Sequence, residues 1–257
     1  MRDSREIAVC GLKAVSAVFE RRPECVIRLF FDPPTGRRVG EYCRYLAREK
    51  RVYRQVKADE LARIAGTVHH GGIVAITRRE APRELAREEI EAWSRSHRPL
   101  LVLDRISNPH NLGALMRSAA FFGIPHVVFP AHRDQAMPGE AAYRIAEGGM
   151  EFVEMRCVGS LPRFLRAIRP HYIVVGAAVQ GTPLERVRVS RSGDGPRRPV
   201  ALVLGNEEAG LAPPVLAACE QRVLIPGAGA VESLNVSAAG AILMHWFFGR
   251  ESAMVGA

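Results

Sequence analysis

Short apolar runs alternate with amphipathic helical stripes along the first 80 residues. Apolar positions at Leu12, Val15 and Val18 repeat with the period of a helix, whereas the run at 25–31 is short and ends at Asp32-Pro33, as strands do. Such an alternation in so short a segment predicts a small α/β sandwich. The predicted helices cover 12–22, 39–50 and 58–66, and the predicted strands cover 25–31, 52–56 and 71–77.

A second alternation of strands and helices begins at Pro99. Its apolar runs, such as Leu-Leu-Val-Leu at 100–103, have no polar interruptions, which is typical of parallel strands buried on both faces. The pattern predicts a mostly parallel α/β domain over 99–257. Its predicted strands cover 99–104, 125–130, 172–178, 199–205 and 221–226, and its predicted helices cover 111–123, 160–170 and 233–249.

The segment 81–98 separates the two alternations. It contains four arginines and four glutamates at spacings that suit an exposed helix or a linker. We therefore expect a first domain over 1–80, a linker over 81–98 and a second domain over 99–257.

Composition excludes several classes of protein and adds one indication. Among the 257 residues, 47% are hydrophobic and 25% are charged, which excludes a disordered, collagen-like or disulfide-scaffold protein. The net charge is +9, and residues 1–80 hold 17 Lys/Arg against 10 Asp/Glu. A basic, arginine-rich half suits a phosphate backbone, although ordinary solubility is the alternative interpretation.

Cysteine usage and hydropathy bear on the compartment. The chain has five cysteines, an odd number with no CxxC spacing, so we expect neither a disulfide framework nor a metal site. No apolar stretch approaches the length of a signal peptide core or a membrane span. We expect a cytoplasmic protein with no membrane partner.

Phosphate-binding glycine motifs are missing from the second domain. The nearest match to G-x-G-x-x-G is Gly227-Ala-Gly229, which has Glu232 in the third glycine position, and no G-x-x-x-x-G-K-[ST] occurs. The sequence therefore disfavours NAD and ATP cradles, and with them a Rossmann-type oxidoreductase.

Three segments of the second domain share one layout, in which a buried strand runs into a polar, glycine-containing loop. They lie at 100–123, 201–211 and 223–241. Loops at the carboxyl ends of parallel strands gather in one crevice, where ligands bind. The three loops are therefore predicted to form one site.

Each polar residue of these loops has an ordinary structural interpretation as well. Arg117 lies off the stripe of Leu112 and Leu115, so it is either a solvated arginine or a ligand for a substrate phosphate or hydroxyl. The other candidates suit helix caps or solvated turns: Asn111, Glu207, Glu208, Ser233 and Asn235.

Taken together and in this order, the three segments resemble the SpoU/TrmH family of RNA 2′-O-ribose methyltransferases. The similar motifs are Asn-Leu-Gly-Ala-Leu-Met-Arg at 111–117, Leu-Gly-Asn-Glu-Glu-Ala-Gly-Leu at 204–211, and Ile225-Pro followed by Ser-Leu-Asn-Val-Ser at 233–237. The resemblance spans nearly all of 98–248. Two positions depart from it: Asn108 stands where the family often has Asp, and Gly227 where a Met is common.

The first domain resembles the L30e-like substrate-binding domain that precedes the methyltransferase domain in many members. The similar features are Cys-Gly-Leu-Lys-Ala-Val at 10–15 and His-His-Gly-Gly-Ile-Val at 69–74. The resemblance implies that this domain binds structured RNA.

The resemblance also implies a deep C-terminal trefoil knot, which binds S-adenosylmethionine and forms much of a homodimer interface. It assigns the cofactor contacts to Leu204, Gly205, Ile225 and Leu234, largely through backbone atoms. A bulky side chain at Gly205 is then expected to block the cofactor and leave the fold intact. The catalytic positions implied are Asn111, Arg117, Glu207, Ser233 and Asn235.

The implied reaction moves a methyl group from S-adenosylmethionine to a ribose 2′-hydroxyl. An arginine is very hard to deprotonate, so we expect Arg117 to bind the adjacent phosphate rather than act as the base. Ribosomal RNA is favoured over transfer RNA by family analogy. The alternative is a catalytically inactive RNA-binding protein whose methyltransferase domain serves only as a dimeriser.

Overall fold

The chain divides into two compact units. The computed structural model describes residues 6–187 and 198–252. The first unit comprises Met1–Ala81 with Pro138–Phe152, and the second comprises Pro82–Met137 with Val153–Ala257. The expected domain boundaries differ from this division at two places, the segments 82–98 and 138–152.

The first unit is built on a four-stranded mixed sheet in the order β1-β4-β2-β3, in which only β2 and β3 pair in parallel. Every strand and helix predicted in 1–80 is present, and an additional strand, β1, pairs with β4. The strands are β1 (Glu6–Cys10), β2 (Val26–Phe31), β3 (Val52–Gln55) and β4 (Ile73–Arg78). The helices are α1 (Leu12–Arg21), α2 (Pro33–Gly36), α3 (Gly40–Arg48) and α4 (Ala58–Ala65).

Strand β4 shows why this unit is a sandwich. Ile73 and Ala75 point into a cluster with Val15 of α1, whereas Val74 and Ile76 point into a second cluster with Leu61 of α4. Successive side chains of a strand face opposite sides of the sheet, so helices cover both faces of β4. This double burial explains the uninterrupted apolar run there.

The segment Pro138–Phe152 belongs to the first unit, although sequence analysis placed it in the second domain. Its helix α7 (Glu140–Ala146) is followed by a short 3-10 turn. Arg22 donates to both carboxylate oxygens of Glu151, at 2.6 and 2.9 Å, and to the Tyr143 hydroxyl at 3.1 Å. These contacts join residues more than 120 positions apart, so no local pattern indicates them.

The second unit is built on a seven-stranded sheet in the order β11-β9-β10-β6-β7-β8-β5, and every neighbouring pair is parallel. The predicted α/β fold with a mostly parallel sheet is confirmed. The strands are β5 (Arg83–Glu84), β6 (Leu100–Asp104), β7 (His126–Pro130), β8 (Glu154–Val158), β9 (Ile173–Pro183), β10 (Val200–Gly205) and β11 (Gln221–Leu224). The helices are α5 (Arg87–Arg95), α6 (Pro109–Phe121), α8 (Leu161–Ile168), α9 (Pro213–Ala218) and α10 (Val236–Ser252).

The segment expected to be a linker over 81–98 is instead part of the second unit from Pro82 onward. Strand β5 extends the sheet beside β8, and α5 buries Trp93, whose ring stacks on His126 at 3.9 Å. One apolar face therefore holds this charged helix in the core. The charged residues of this helix, which suggested a linker, lie on its outer face.

Helix α10 packs closely against α6 and β10. A Cβ atom at Gly240 would lie 2.6 Å from Leu115 Cδ2 and 3.0 Å from Leu204 Cδ1, so a larger residue at this crossing would require these leucine side chains to shift. Within 6–187 and 198–252, no helix is both long and apolar enough to cross a membrane. The five cysteines are free thiols.

Candidate active site

Two of the three predicted loops begin at adjacent strand ends. Asp104 at the end of β6 pairs in register with Gly205 at the end of β10, so the segments that follow them leave the sheet side by side. The third loop follows β11 and ends at Asn235, whose carbonyl accepts the first helical bond of α10 from Ala239 at 2.9 Å.

Glu207 gathers the first two loops. Its carboxylate accepts hydrogen bonds from the Ser107 amide at 3.1 Å, the Ser107 hydroxyl at 3.0 Å and the Asn108 amide at 3.0 Å. The side chains of Asn111 at 2.9 Å and Asn206 at 3.3 Å also donate to it. Glu208, its neighbour, is exposed, as expected for one of this pair.

The same contacts determine the ionisation of Glu207. Burial by itself would raise the pKa of this carboxyl group. Hydrogen bonds from the Asn111 side chain and from the amides of Ser107 and Asn108 outweigh burial and lower the pKa below its usual value. Glu207 is therefore an anion at neutral pH and serves as the acceptor for this cluster.

A chain of amides connects Glu207 to the third loop. Asn111 Nδ2 donates to Glu207, and Asn111 Oδ1 accepts from Asn235 Nδ2 at 3.1 Å. The Oδ1 of Asn235 in turn accepts from the Ser237 amide at 2.9 Å, which caps α10. Because a carboxylate only accepts, the orientation of each amide follows from the one before it. We call Glu207, Asn111 and Asn235 the amide network.

Sequence position suited both Asn235 and Asn111 to helix caps, and only one of them is a cap. Asn235 both caps α10 and joins the amide network. Asn111 does not cap α6: Asn108 does, accepting from the His110 amide at 2.8 Å. An aspartate at position 108 would accept the same bond, so this departure from the family pattern preserves the cap.

The turn that carries Glu207 is held by its own backbone and by Asn206. Asn206 and Gly210 exchange two backbone hydrogen bonds, and Asn206 Oδ1 accepts from the Glu208 and Ala209 amides. A Cβ atom at Gly205 would overlap the backbone of Gly210 and Leu211. The expectation that a bulky residue at Gly205 would leave the fold intact is therefore wrong.

Arg117 lies on the exposed side of α6, whereas Asn111 and Leu115 on the same helix are buried. The predicted orientation of Arg117 away from the core is confirmed. Ser233 is also exposed, two residues before Asn235. The structure therefore connects Glu207 to Asn235 through Asn111, and it leaves Arg117 and Ser233 on the exposed surface.

The candidate cofactor residues differ in what they expose. Leu204 is 1% exposed, so this residue is covered within the sheet. Leu234 leaves 48% of its surface exposed, and Ile225 is half-buried. A Cβ atom added at Gly227, where the family often has Met, would meet no other group within 4 Å, so the site has room there.

Sequence analysis missed three polar residues of this region. Ser107 and Asn206 contact Glu207, and Asp104, which is 2% exposed, accepts from the Ala212 amide at 2.7 Å. Their signal was a polar residue at the end of an apolar strand or within three residues after it, a region where parallel sheets place ligand-binding groups.

The two parts of the chain match two known protein families. Residues 98–245 match the SpoU rRNA Methylase family, and residues 8–82 match a family described as RNA 2′-O ribose methyltransferase substrate binding. The 23S rRNA (guanosine-2′-O-)-methyltransferase RlmB of Acinetobacter baylyi is 32% identical over 241 residues, covering 91% of this chain and 94% of the relative. An uncharacterized tRNA/rRNA methyltransferase of Haemophilus influenzae is 32% identical over 251 residues, covering 95% of this chain and 67% of the relative.

Solved structures share the fold. The SpoU methyltransferase AviRb from Streptomyces viridochromogenes, in complex with AdoMet, has a TM-score of 0.73 at 22% identity, covering 97% of this chain and 92% of that one. An RNA methyltransferase of the TrmH family from Porphyromonas gingivalis has a TM-score of 0.71 at 24% identity, covering 96% of this chain and 90% of that one. The chain therefore belongs to the SpoU/TrmH family of RNA 2′-O-ribose methyltransferases.

Proposed function

We propose that this chain transfers a methyl group from S-adenosylmethionine to a ribose 2′-hydroxyl of ribosomal RNA. The amide network carries the proposal, because it fixes three strand-end loops to one another and so preorganises a site. The names of the RlmB relatives from Acinetobacter baylyi and Nitrosomonas europaea, which act on 23S rRNA, support ribosomal over transfer RNA.

The residues of the second and third loops suit the cofactor. The loop after β11 leaves apolar surface exposed at Val231, with 74% of that residue exposed, and at Leu234. Such surface is suited to a flat heterocycle, and a Cβ atom at Gly227 or Gly229 would meet nothing within 4 Å, so the loop has room beside it. Leu204, Gly205, Ile225 and Leu234 would hold the cofactor. When bound, it supplies a sulfonium methyl group that reacts readily with an aligned oxygen nucleophile.

The chain's own residues align the ribose. Guanidinium groups do not lose their proton in proteins, so Arg117 acts as a cation that pairs with the phosphate beside the target 2′-oxygen. Asn111, Glu207 and Asn235 hold α6, the β10 turn and α10 in a fixed arrangement. Ser233, which is exposed two residues before Asn235, would bind the ribose in this proposal.

The first unit supplies RNA affinity. Residues 1–80 carry 17 Lys/Arg against 10 Asp/Glu, and phosphate neutralisation by such side chains dominates binding to nucleic acids. The match of residues 8–82 to a substrate-binding family supports this assignment.

The second unit forms a homodimer in this proposal. Phe121 of α6 is 81% exposed and Ile242 of α10 is 41% exposed, although large apolar side chains are usually covered. The trefoil knot implied by the resemblance stays a prediction for the segment that leads into α10. Replacing Phe121 with Glu should yield monomers in light scattering, and persistence of the dimer would argue against this face.

Methyl transfer tests the proposed function directly. Wild-type protein, labelled cofactor and protein-free 23S ribosomal RNA should give 2′-O-methyl nucleotides, and Arg117→Ala should form them about 10²–10³ times more slowly. Calorimetry should show that Leu234→Asp weakens cofactor binding and that Gly227→Ala does not. RNA binding without any methyl transfer by the wild type would favour the inactive RNA-binding protein instead.

A further inference from the structure

A polar pocket of about 530 Å³ lies at the carboxyl ends of β6, β7 and β10. Its walls come from three loops of the second unit. Asn206 and Ala209 belong to the motif at 204–211, but no residue of the lining is among the catalytic or cofactor positions implied by the resemblance. We call it the arginine pocket. The lining residues used below are Arg105, Ser107, Arg133, Gln135, Asn206 and Ala209.

The arginine pocket shares two residues with the surroundings of Glu207. Ser107 lines the pocket and donates its hydroxyl to Glu207 at 3.0 Å. Asn206 lines it as well, and its Nδ2 donates both to Glu207 and to the Arg105 carbonyl, the latter at 2.8 Å. A ligand in the pocket therefore lies one side chain away from the amide network.

Hydrogen bonds join two of the walls of the pocket to each other. Gln135 is 4% exposed, and its side chain accepts from the Ile106 amide at 3.2 Å and donates to the Ala136 carbonyl at 3.1 Å. The Ala136 amide also donates to the Ile106 carbonyl at 2.7 Å. These bonds tie the loop after β7 to the loop after β6. Walls joined in this way reduce the entropy that binding costs.

Arg105 is held under strain at this site. Its φ of 58° places a non-glycine residue in the left-handed region, and its Nε and Nη2 bind the buried Asp104 carboxylate at 3.0 and 3.3 Å. Strained backbone of this kind concentrates at ligand-binding positions. Among the residues that the structure describes, Arg105 Nη1 makes no hydrogen bond, which leaves one edge of the guanidinium for a ligand.

Each guanidinium of the pocket lies beside a carboxylate, Arg105 beside Asp104 and Arg133 beside Asp134, so an anion would bind to the remaining donors of the two groups. Arg133 contributes a second guanidinium, and its side chain is 92% exposed. The lining also includes one carboxylate, that of Asp134, which lies 3.5 Å from Arg133 Nε and 3.6 Å from His132 Nδ1. Guanidinium groups bind phosphate through paired hydrogen bonds, so two of them at one pocket suit a phosphodiester.

We propose that the arginine pocket binds a backbone phosphate of the RNA substrate next to the methylated nucleotide, through Arg133 and Arg105. The proposal rests on the proposed function and extends it, because it assigns a second phosphate contact separate from Arg117. It gives the loop after β7 a role in RNA recognition.

Two variants test the pocket from different sides. Arg133→Gln removes an exposed charge, and Ala209→Phe fills the pocket from an exposed position whose backbone hydrogen bond to Asn206 is preserved. Arg163→Gln, an exposed arginine on α8, is the matched control. Binding to protein-free 23S ribosomal RNA is measured across a salt series, alongside calorimetry with S-adenosylmethionine.

Arg133→Gln should weaken RNA binding about tenfold and reduce the slope of log affinity against log salt by about 1, as expected for one lost phosphate contact. Ala209→Phe should weaken RNA binding and leave cofactor affinity unchanged, and Arg163→Gln should match the wild type. RNA affinities equal to the control in both variants would overturn the proposal. So would a loss of cofactor affinity in Ala209→Phe, since the pocket would then belong to the cofactor.

RNA binding is measured without methyl transfer, so this test does not depend on turnover. A wild type that binds RNA but transfers no methyl group contradicts the proposed function alone. A wild type that transfers methyl groups while both variants bind RNA normally contradicts the arginine pocket alone.

Discussion

Asn111 donates its Nδ2 to the Glu207 carboxylate at 2.9 Å, across 96 positions of sequence. The bond joins the first turn of α6 to the turn after β10, and it leaves Asn111 Oδ1 for Asn235 at 3.1 Å. One carboxylate therefore determines how two amides are oriented and how three loops are held. The relationship gives the polar residues of the three motifs a common physical basis.

Glu207→Gln should destabilise the fold because a neutral amide cannot accept from all the donors that converge on the carboxylate. Hydrogen bonds to a charged group contribute about 1.5–3 kcal/mol, so the loss should be of that size. Urea unfolding at pH 7 measures it, with Glu208→Gln as the control, since that side chain is exposed. Equal stability of the two variants would remove Glu207 from the centre of the site.

Acid should abolish the contribution of Glu207. The folded protein lowers the pKa of this carboxyl below its unfolded value of about 4.3, so the stabilisation is present above that pH and is lost as pH falls through the folded pKa. The gap in unfolding free energy between wild type and Glu207→Gln should be constant from about pH 7 to 5 and narrow below about pH 4.3. A difference in unfolding free energy that stays constant in acid would contradict the assignment of Glu207 as an anion.

Arg117→Ala should reduce methyl transfer far more than it reduces stability. The residue is exposed, and surface changes usually alter stability by about 0.5 kcal/mol or less. Loss of a preorganised contact to the transition state costs about 10²–10³ in rate. Arg117→Lys should recover little activity, because lysine lacks the planar fork. The measurements are the single-turnover rate of methylation and the melting temperature. A near-normal methylation rate in Arg117→Ala would show that Arg117 is a surface arginine with no part in the reaction.

Gly205→Ala should destabilise the protein, because the new Cβ meets the backbone of Gly210 and Leu211, which cannot rotate away. Overpacking of this kind typically costs about 1–3 kcal/mol. Gly227→Ala is the matched control, since a Cβ there meets nothing within 4 Å. Thermal unfolding should separate the two variants, and a Gly205→Ala protein as stable as the control would show that the β10 turn can shift.

Arg22→Ala should destabilise the first unit strongly. The Glu151 side chain is 4% exposed, and an uncompensated buried charge costs about 3–5 kcal/mol. Burial opposes the charge on Arg22, but the hydrogen bond to Glu151 outweighs it and raises the pKa of the guanidinium. Lys13→Ala is the control, because the side chains of Lys13 and Glu147 are 77% and 41% exposed. An ion pair as exposed as theirs contributes about 0–1 kcal/mol. Similar costs for both variants in urea unfolding would mean that Glu151 is solvated.

The sequence by itself determined the family and most of the elements, whereas others, such as β1, β8 and α7, were not predicted. Uninterrupted apolar runs such as 100–103 predicted parallel strands, because a strand covered on both faces has no polar side. Spacing on α6 predicted that Arg117 faces away from the core, since a helical repeat sets the direction of every side chain. Three motifs in order identified the methyltransferase domain. These are local properties, and they can be read along the chain.

Only the tertiary structure decided which residues meet. It showed that 82–98 belongs to the second unit, that Pro138–Phe152 packs with the first, and that Asn108 rather than Asn111 caps α6. It also connected Glu207 with Asn111 and Asn235. Hydrogen bonds between residues about 100 positions apart leave no periodicity in the sequence, because their partners are brought together by the packing of strands and helices between them.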